Sequence, residues 1–351
     1  MALYFARESA KAASLGAGHV ARVLKGCARA IPLAPRIDDT IRHWPSDLAA
    51  SGLAFRLNAG LHMLVRSGRA PVLQNLAERC EAGATGAPIE YEIAVTEALA
   101  GHEDELLFWL SRPTQTNEVG RLAGLMGVLS ELDAHRPLGT ELLELGASAG
   151  LNLNLARYAY DLGDKRMGDP ASPVRIAPAW RGQAVSGGPV SILRARGVDL
   201  APLDVARADD RERLYAYCWP GMPDRMTRLR GAIAIAGEFP PAVQRGSAGE
   251  WLQAQLAIPQ PEGVRRVVFH SMVMQYVPQA ERKIVAQALA DAGAQATPDR
   301  PLARVALEWR EDRREVELGL TTWDGSEPQG CARLVATCHP YAEWFDWRGI
   351  T

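Results

Sequence analysis

The stretch Leu142-Leu143-Glu144-Leu145-Gly146-Ala147-Ser148-Ala149-Gly150-Leu151-Asn152 constrains this chain more than any other. An apolar run ends in an acid. Two glycines bracket a turn of small residues, and Leu151, Leu153 and Leu155 then precede Arg157. The pattern predicts a strand, a tight loop and a helix. Such a crossing aims backbone N–H groups and the positive helix end at one point. Glycine lets a ligand reach the backbone with no Cβ in the way. A binding site is therefore expected at this bend, formed by Glu144, Gly146, Ser148, Gly150 and Asn152.

Bulk properties narrow what that site can serve. With 47% hydrophobic and 23% charged residues, the 351-residue chain has an ordinary globular composition. A net charge of −2 argues against a general nucleic-acid footprint and favours a small-molecule substrate. The five cysteines are scattered, as expected of reduced thiols in a cytoplasmic protein. No apolar run suits a signal peptide or a membrane span. The seven histidines never cluster with acids at ligand spacing, so no metal is expected. Oligomeric state is left open.

Residues 1–137 read as an N-terminal all-helical region, with helices expected over Asp47–Arg66, Pro71–Cys80, Ile89–Ser111 and Thr116–Ala134. In the last, Thr116 is the expected N-cap, and Gly120, Gly124 and Gly127 make a nearly smooth face. From 138 to 351 short apolar runs alternate with helical stretches, the mark of an α/β layer fold. Strands are expected at Thr140–Leu145, Val190–Val198, Pro241–Gln244, Arg265–His270, Ala303–Trp309, Glu315–Thr322 and Ala332–Cys338. Helices are expected at Leu151–Tyr158, Asp209–Tyr217, Arg225–Ala236, Glu250–Leu256 and Gln279–Ala292. The segment 164–189, rich in Pro, Gly and Trp, reads as an inserted hairpin or loop. The aromatic C-terminus (Tyr341, Trp344, Phe345, Trp347) reads as a seal over the core.

Polar residues at the C-terminal ends of strands mark ligand sites in open α/β sheets. Asp199 ends an apolar run in Gly-x-Asp, where a carboxylate can bind both ribose hydroxyls or merely cap a turn. It follows the glycine bend by roughly fifty residues, where about twenty is usual. The run Val267–Pro278 ends in His270, Ser271, Gln275 and Tyr276. Asn117 and Arg121, four apart on one helix face, stand at a polar helix start.

Glu144-x-Gly146-x-Ser148-x-Gly150 resembles the first motif of class I S-adenosylmethionine-dependent methyltransferases. The resemblance implies a Rossmann-like core with a mostly parallel seven-stranded sheet and S-adenosylmethionine as cofactor. Glu144, Gly146, Ser148, Gly150 and Asn152 would then hold its methionyl end, Asp199 its ribose and Ser247 its adenine. An acid is the usual residue at that last place. His270 and Tyr276 would face the methyl group, His270 as base, while Asn117, Arg121, Ser271 and Gln275 would meet the substrate. Over nearly its whole length the chain also resembles a bacterial family known as domain of unknown function 2332. That likeness rests on Arg112–Arg121 (RPTQTNEVGR), Leu143–Leu153 (LELGASAGLNL), Gly168–Pro173 (GDPASP), Trp180-Arg181-Gly182, Gly197–Asp204 (GVDLAPLD), Val267–Pro278 (VVFHSMVMQYVP) and Cys338-His339-Pro340.

Two other readings stay open. One is a non-catalytic module that binds S-adenosylmethionine or a partner. The other is an α/β-hydrolase, because Gly146-x-Ser148-x-Gly150 also spells a nucleophile elbow with Ser148 as nucleophile. The hydrolase reading leaves Glu144 without a task, lacks a His-Gly-Gly-type oxyanion segment and finds no strand ahead of the one that carries Glu144.

Overall fold

The structure, a computed structural model, describes residues 1–350. Seven helices come first: α1 (Ala2–Ser14), α2 (Gly18–Ala30), α3 (Pro35–Arg42), α4 (Leu53–Arg66), α5 (Pro71–Glu81), α6 (Pro88–Gly101) and α7 (Glu103–Ser111). Pro35, Pro71 and Pro88 each open a helix, where the missing N–H costs nothing. The single helix expected over Ile89–Ser111 is two helices that break at His102. Glu103, Asp104 and Glu105 crowd the first turn of α7, and acids there favour a fresh helix N-terminus.

Next come α8 (Leu122–His135), β1 (Gly139–Leu145), β2 (Ala159–Leu162), β3 (Lys165–Gly168), β4 (Arg175–Ile176), β5 (Ala179–Gly182) and β6 (Ile192–Asp199). They are followed by α9 (Ala208–Ala216), α10 (Pro223–Glu238), β7 (Val243–Arg245), α11 (Ala248–Leu256), β8 (Val264–Ser271), α12 (Gln279–Gly293), β9 (Leu302–Trp309), β10 (Val316–Trp323), β11 (Cys331–Cys338) and β12 (Trp344–Trp347). The chain forms two compact units, Met1–Thr116 with Ala206–Met226, and Asn117–Val205 with Thr227–Thr351. The division expected at residue 137 falls instead after Thr116, and 206–226 returns to the helical unit. There α9 packs on α4: Ala216 and Tyr217 share a cluster with Ala59 and Trp109, and His62 Nδ1 meets the Ala216 carbonyl at 3.0 Å.

The second unit is an α/β fold around a large sheet of order β5-β12-β11-β10-β9-β8-β1-β6-β7. All seven expected strands are present. Five of them, β7-β6-β1-β8-β9, are parallel and follow the doubly wound order 3-2-1-4-5. The sheet is mixed and nine-stranded, not seven-stranded, because β9, β10, β11 and β12 run antiparallel in turn and β5 adds an edge. The inserted segment supplies that edge strand and part of a small sheet β3-β2-β4. Trp180 on β5 stacks on Phe345 and Trp347, and those last two are fully buried, so the C-terminal aromatics do seal the core.

Alternation along β1 sets the two faces. Leu143 and Leu145 join Val198, Val268, Trp251, Leu252, Val285 and Leu289 in a cluster with α11 and α12. Glu144 therefore faces the other way, together with its neighbour Phe269. On α8, Gly124 abuts Leu318 and Phe345, and Gly127 abuts Trp347. The glycine face of this helix thus receives large side chains of its own chain. The Arg265 guanidinium pairs with Asp133 and also binds the Leu132 and Arg136 carbonyls at the C-terminal end of α8, where cations are favoured. Arg266 Nε bonds Glu141 at 2.9 Å, which ties β8 to β1.

Candidate functional site

From β1 the chain runs outward through β6 to β7, then crosses to the other side of β1 for β8. The C-terminal ends of β1 and β8 thus meet at a topological switch point, the place where doubly wound sheets bind ligands. Glu144 lies there beside Gly197 and Phe269, and Leu145 beside Val198 and His270.

The bend after β1 is held by its own chain. The amides of Gly146 and Ala147 both donate to the Val198 carbonyl, at 2.8 and 3.0 Å. Ser148 N–H donates to Asp199 Oδ2 at 2.9 Å, Gly150 N–H to the Ala147 carbonyl, and Leu151 N–H to Asn117 Oδ1 at 3.1 Å. Left-handed φ values at Gly146 (71°), Ser148 (55°) and Gly150 (71°) make the turn tight. A Cβ on Gly146 would strike Val273, and one on Gly150 would strike Val243 and Pro241. The glycines serve packing, and these five amides are engaged internally.

The expected helix over Leu151–Tyr158 is a 3-10 stretch, Leu151–Arg157, kinked at Asn154. Its carbonyls are drawn off by tyrosines: Tyr158 and Tyr160 donate to the Leu151 and Leu155 oxygens at 2.5 and 2.8 Å. The expected α-helix dipole is therefore absent from this bend, and five of its amides are engaged within the chain.

What the bend does present is a buried acid. Glu144 is 2% exposed, and its Oε1 accepts from Asn152 Nδ2 at 2.7 Å. Glu144 Oε2 and Asn152 Oδ1 are buried with no hydrogen-bond partner. Burial pushes the Glu144 carboxyl up to about 8; the Asn152 bond and the Arg121 charge oppose this, while Asp199 adds to it. Asp199 holds both the Ser148 amide and, through Oδ1, the Ala201 amide at 2.9 Å. Arg121 is buried. Its Nε donates to the Pro340 carbonyl at 3.0 Å and its Nη1 to that of Ser271 at 3.5 Å.

The site residues thus divide. Glu144, Gly146, Ser148, Gly150, Asn152 and Asp199 come together, with Asn117, Arg121 and Ser271 tied to them. His270 does not join them. Its strand position places it on the opposite face of the sheet, with Val268 and Leu145. Its Nδ1 meets Glu308 at 2.7 Å, and its Nε2 accepts from Arg304 Nε at 3.0 Å. Because an arginine nitrogen can only donate, the ring is the neutral Nδ1–H form, and burial holds its pKa below the usual value. Both ring nitrogens are engaged, so this arrangement leaves no free base. Glu308 Oε1 also accepts the Val273 and Met274 amides. Sequence reasoning missed Arg304 as a partner of His270. The signal was there: Arg304 and Glu308 share a face of an interior apolar strand, and such charges need buried partners.

Ser247 is the N-cap of α11, accepting from the Glu250 amide and donating to Glu281 at 2.8 Å. Gln275 Nε2 donates to the Met272 carbonyl at 3.3 Å, and Tyr276 is exposed. Among the described residues, no helix is long and apolar enough to cross a membrane.

No curated protein and no solved structure matches the chain. A match over residues 3–347 shows that the chain belongs to the bacterial family described as "Uncharacterized protein conserved in bacteria (DUF2332)".

Proposed function

We propose that this protein is an S-adenosylmethionine-dependent methyltransferase acting on a small acceptor. One observation carries the reading: two buried acceptor atoms without partners, Glu144 Oε2 and Asn152 Oδ1, stand at the end of the first strand of a 3-2-1-4-5 sheet. Buried acceptors call for donors, and the ammonium of a methionyl group supplies them. Asp199, on the adjacent strand, holds the same loop and is the residue that would meet the ribose hydroxyls. The cofactor, when bound, supplies a methyl group on a reactive sulfonium. The chain's own task is to orient the two ends of the cofactor and exclude water. Asn117 steadies the bend through the Leu151 amide, and Arg121 ties the Ser271 end of β8 to Pro340. His270 has no part in this reading, and Ser247 serves as a cap.

Titration calorimetry with S-adenosylhomocysteine tests the proposal. Micromolar binding is expected, weakened at least tenfold by Asp199→Ala, about 1.4 kcal/mol. No heat of binding at millimolar ligand defeats it. The engaged nitrogens of His270 favour a second reading, binding without turnover. Tight binding with no methyl transfer to any component of a cell extract would select it. The strained Ser148 is the feature that keeps a hydrolase in view. Labelling of Ser148 by a fluorophosphonate probe would select that chemistry.

A further inference from the structure

We propose that Glu144 is a neutral acid in the ligand-free protein, and that an ammonium group docking on Glu144 Oε2 and Asn152 Oδ1 expels its proton to solvent. The inference rests on the cofactor reading above and adds an exchange of one proton to it.

Geometry carries the argument. An ionised carboxylate in an apolar interior needs several donors or a cation. Glu144 has one neutral donor, Asn152 Nδ2 on Oε1, and nothing on Oε2. The titratable and charged groups that face it come from three elements. Asp199 on β6 repels its charge, and Arg121 ahead of α8 attracts it. The Tyr158 hydroxyl, after the 3-10 stretch, is kept protonated by burial and by the neighbouring Glu144, and it donates to the Leu151 carbonyl. Arg121 donates to the Pro340 and Ser271 carbonyls, and the second oxygen of Glu144 has no donor. The balance is for a neutral acid, in line with a carboxyl pushed up to about 8.

An incoming ammonium changes that balance. It brings donors and a full positive charge to the bare oxygen. The O–H bond of Glu144 breaks, its proton goes to the buffer, and a carboxylate–ammonium pair remains, also supported by Asn152 Oδ1. Asn152 is a positioning residue here, because its Nδ2 fixes the Oε1 side and leaves Oε2 for the ligand. Linkage then sets the pH dependence. Binding that releases a proton tightens as pH rises, close to tenfold per unit well below the group's pKa.

The test is calorimetry of S-adenosylhomocysteine at pH 6.5 in buffers of differing ionisation enthalpy. About one proton should be released per ligand, and affinity should rise several-fold from pH 6.5 to 7.5. 5′-Methylthioadenosine keeps the nucleoside and the sulfur but lacks the ammonium, so its binding should release none. Asn152→Ala, which removes a bond that favours ionisation, should move the pH profile upward. Glu144→Gln should abolish the release. Binding of S-adenosylhomocysteine with no proton released and an affinity flat with pH overturns this inference and leaves the cofactor reading standing. No binding of it at millimolar concentration and pH 8 overturns both. If Glu144→Gln does not fold, the wild-type buffer series alone decides.

Discussion

At the scale of single residues, the polar groups of the second unit sort by whether their bonds close within the chain. Glu308 closes its bonds: one oxygen serves the His270 ring and the amides of Val273 and Met274. Removing it leaves the buried His270 ring and two half-buried amides without that acceptor, and a buried donor left unpaired costs about 1–3 kcal/mol. Glu308→Ala should therefore destabilise the fold by roughly 1–3 kcal/mol in urea denaturation. A loss below about 0.5 kcal/mol, within the range of an ordinary surface change, would show that this tie is ornamental. Glu144 does not close its bonds, and that is the ground for proposing a ligand there. The contrast between these acids was half legible. Both stand in apolar strands, but only three-dimensional neighbours tell which has enough donors.

Elements show how packing can override a local signal. Alanine in place of Gly127 gains about 1 kcal/mol of helix propensity, yet its Cβ would meet the Trp347 ring at 2.8 Å. Overpacking of this kind costs about 1–3 kcal/mol. Gly127→Ala is expected to lower stability on balance, as read from the denaturation midpoint; a stabilised variant would mean that Trp347 moves aside freely. Ser247 bears on the site in the same way. As the cap of α11 it contributes about 1 kcal/mol, so Ser247→Ala should cost that much while leaving S-adenosylhomocysteine affinity within about twofold. Lost affinity at unchanged stability would return Ser247 to the adenine site. The 3-10 stretch after the glycine bend was not legible. A strand and a glycine bend ahead of it lead one to expect a helix, but Tyr158 and Tyr160 take carbonyls of the stretch from beyond its end.

Over the whole molecule, buried titratable groups give stability a shape in pH. Burial lowers His19 and His62 to about 4, and it lowers His270 as well. Between about pH 6.5 and 4 the folded chain therefore binds fewer protons at these sites than the unfolded one. Stability present above pH 6.5 is lost as pH falls, at most ~3 kcal/mol for each of the first two. Glu144 has the opposite sign. Its folded pKa is raised, so the folded chain holds the extra proton, and stability is lost as pH rises from about 4.5 to about 8. Thermal unfolding midpoints should accordingly peak near pH 6.5. His62→Gln should make the acid side shallower, and Glu144→Gln should remove the alkaline fall. A profile flat from pH 5 to 8 in the wild type would contradict both burial arguments.

Periodicity and punctuation in the sequence were enough for the helical N-terminal region, the seven strands and the strand–bend at Glu144, because these depend on local patterns of apolar residues and glycine. The family was legible as well, from several words in register. Tertiary structure decided three further matters. It sent 206–226 back to the helices and added two strands to the large sheet from aromatic segments. It also separated His270 from Glu144, since strand register, which pairs Leu145 with His270, determines which face each side chain takes. Strand register and hydrogen-bond supply are properties of neighbours brought together by folding, and no local stretch of sequence contains them.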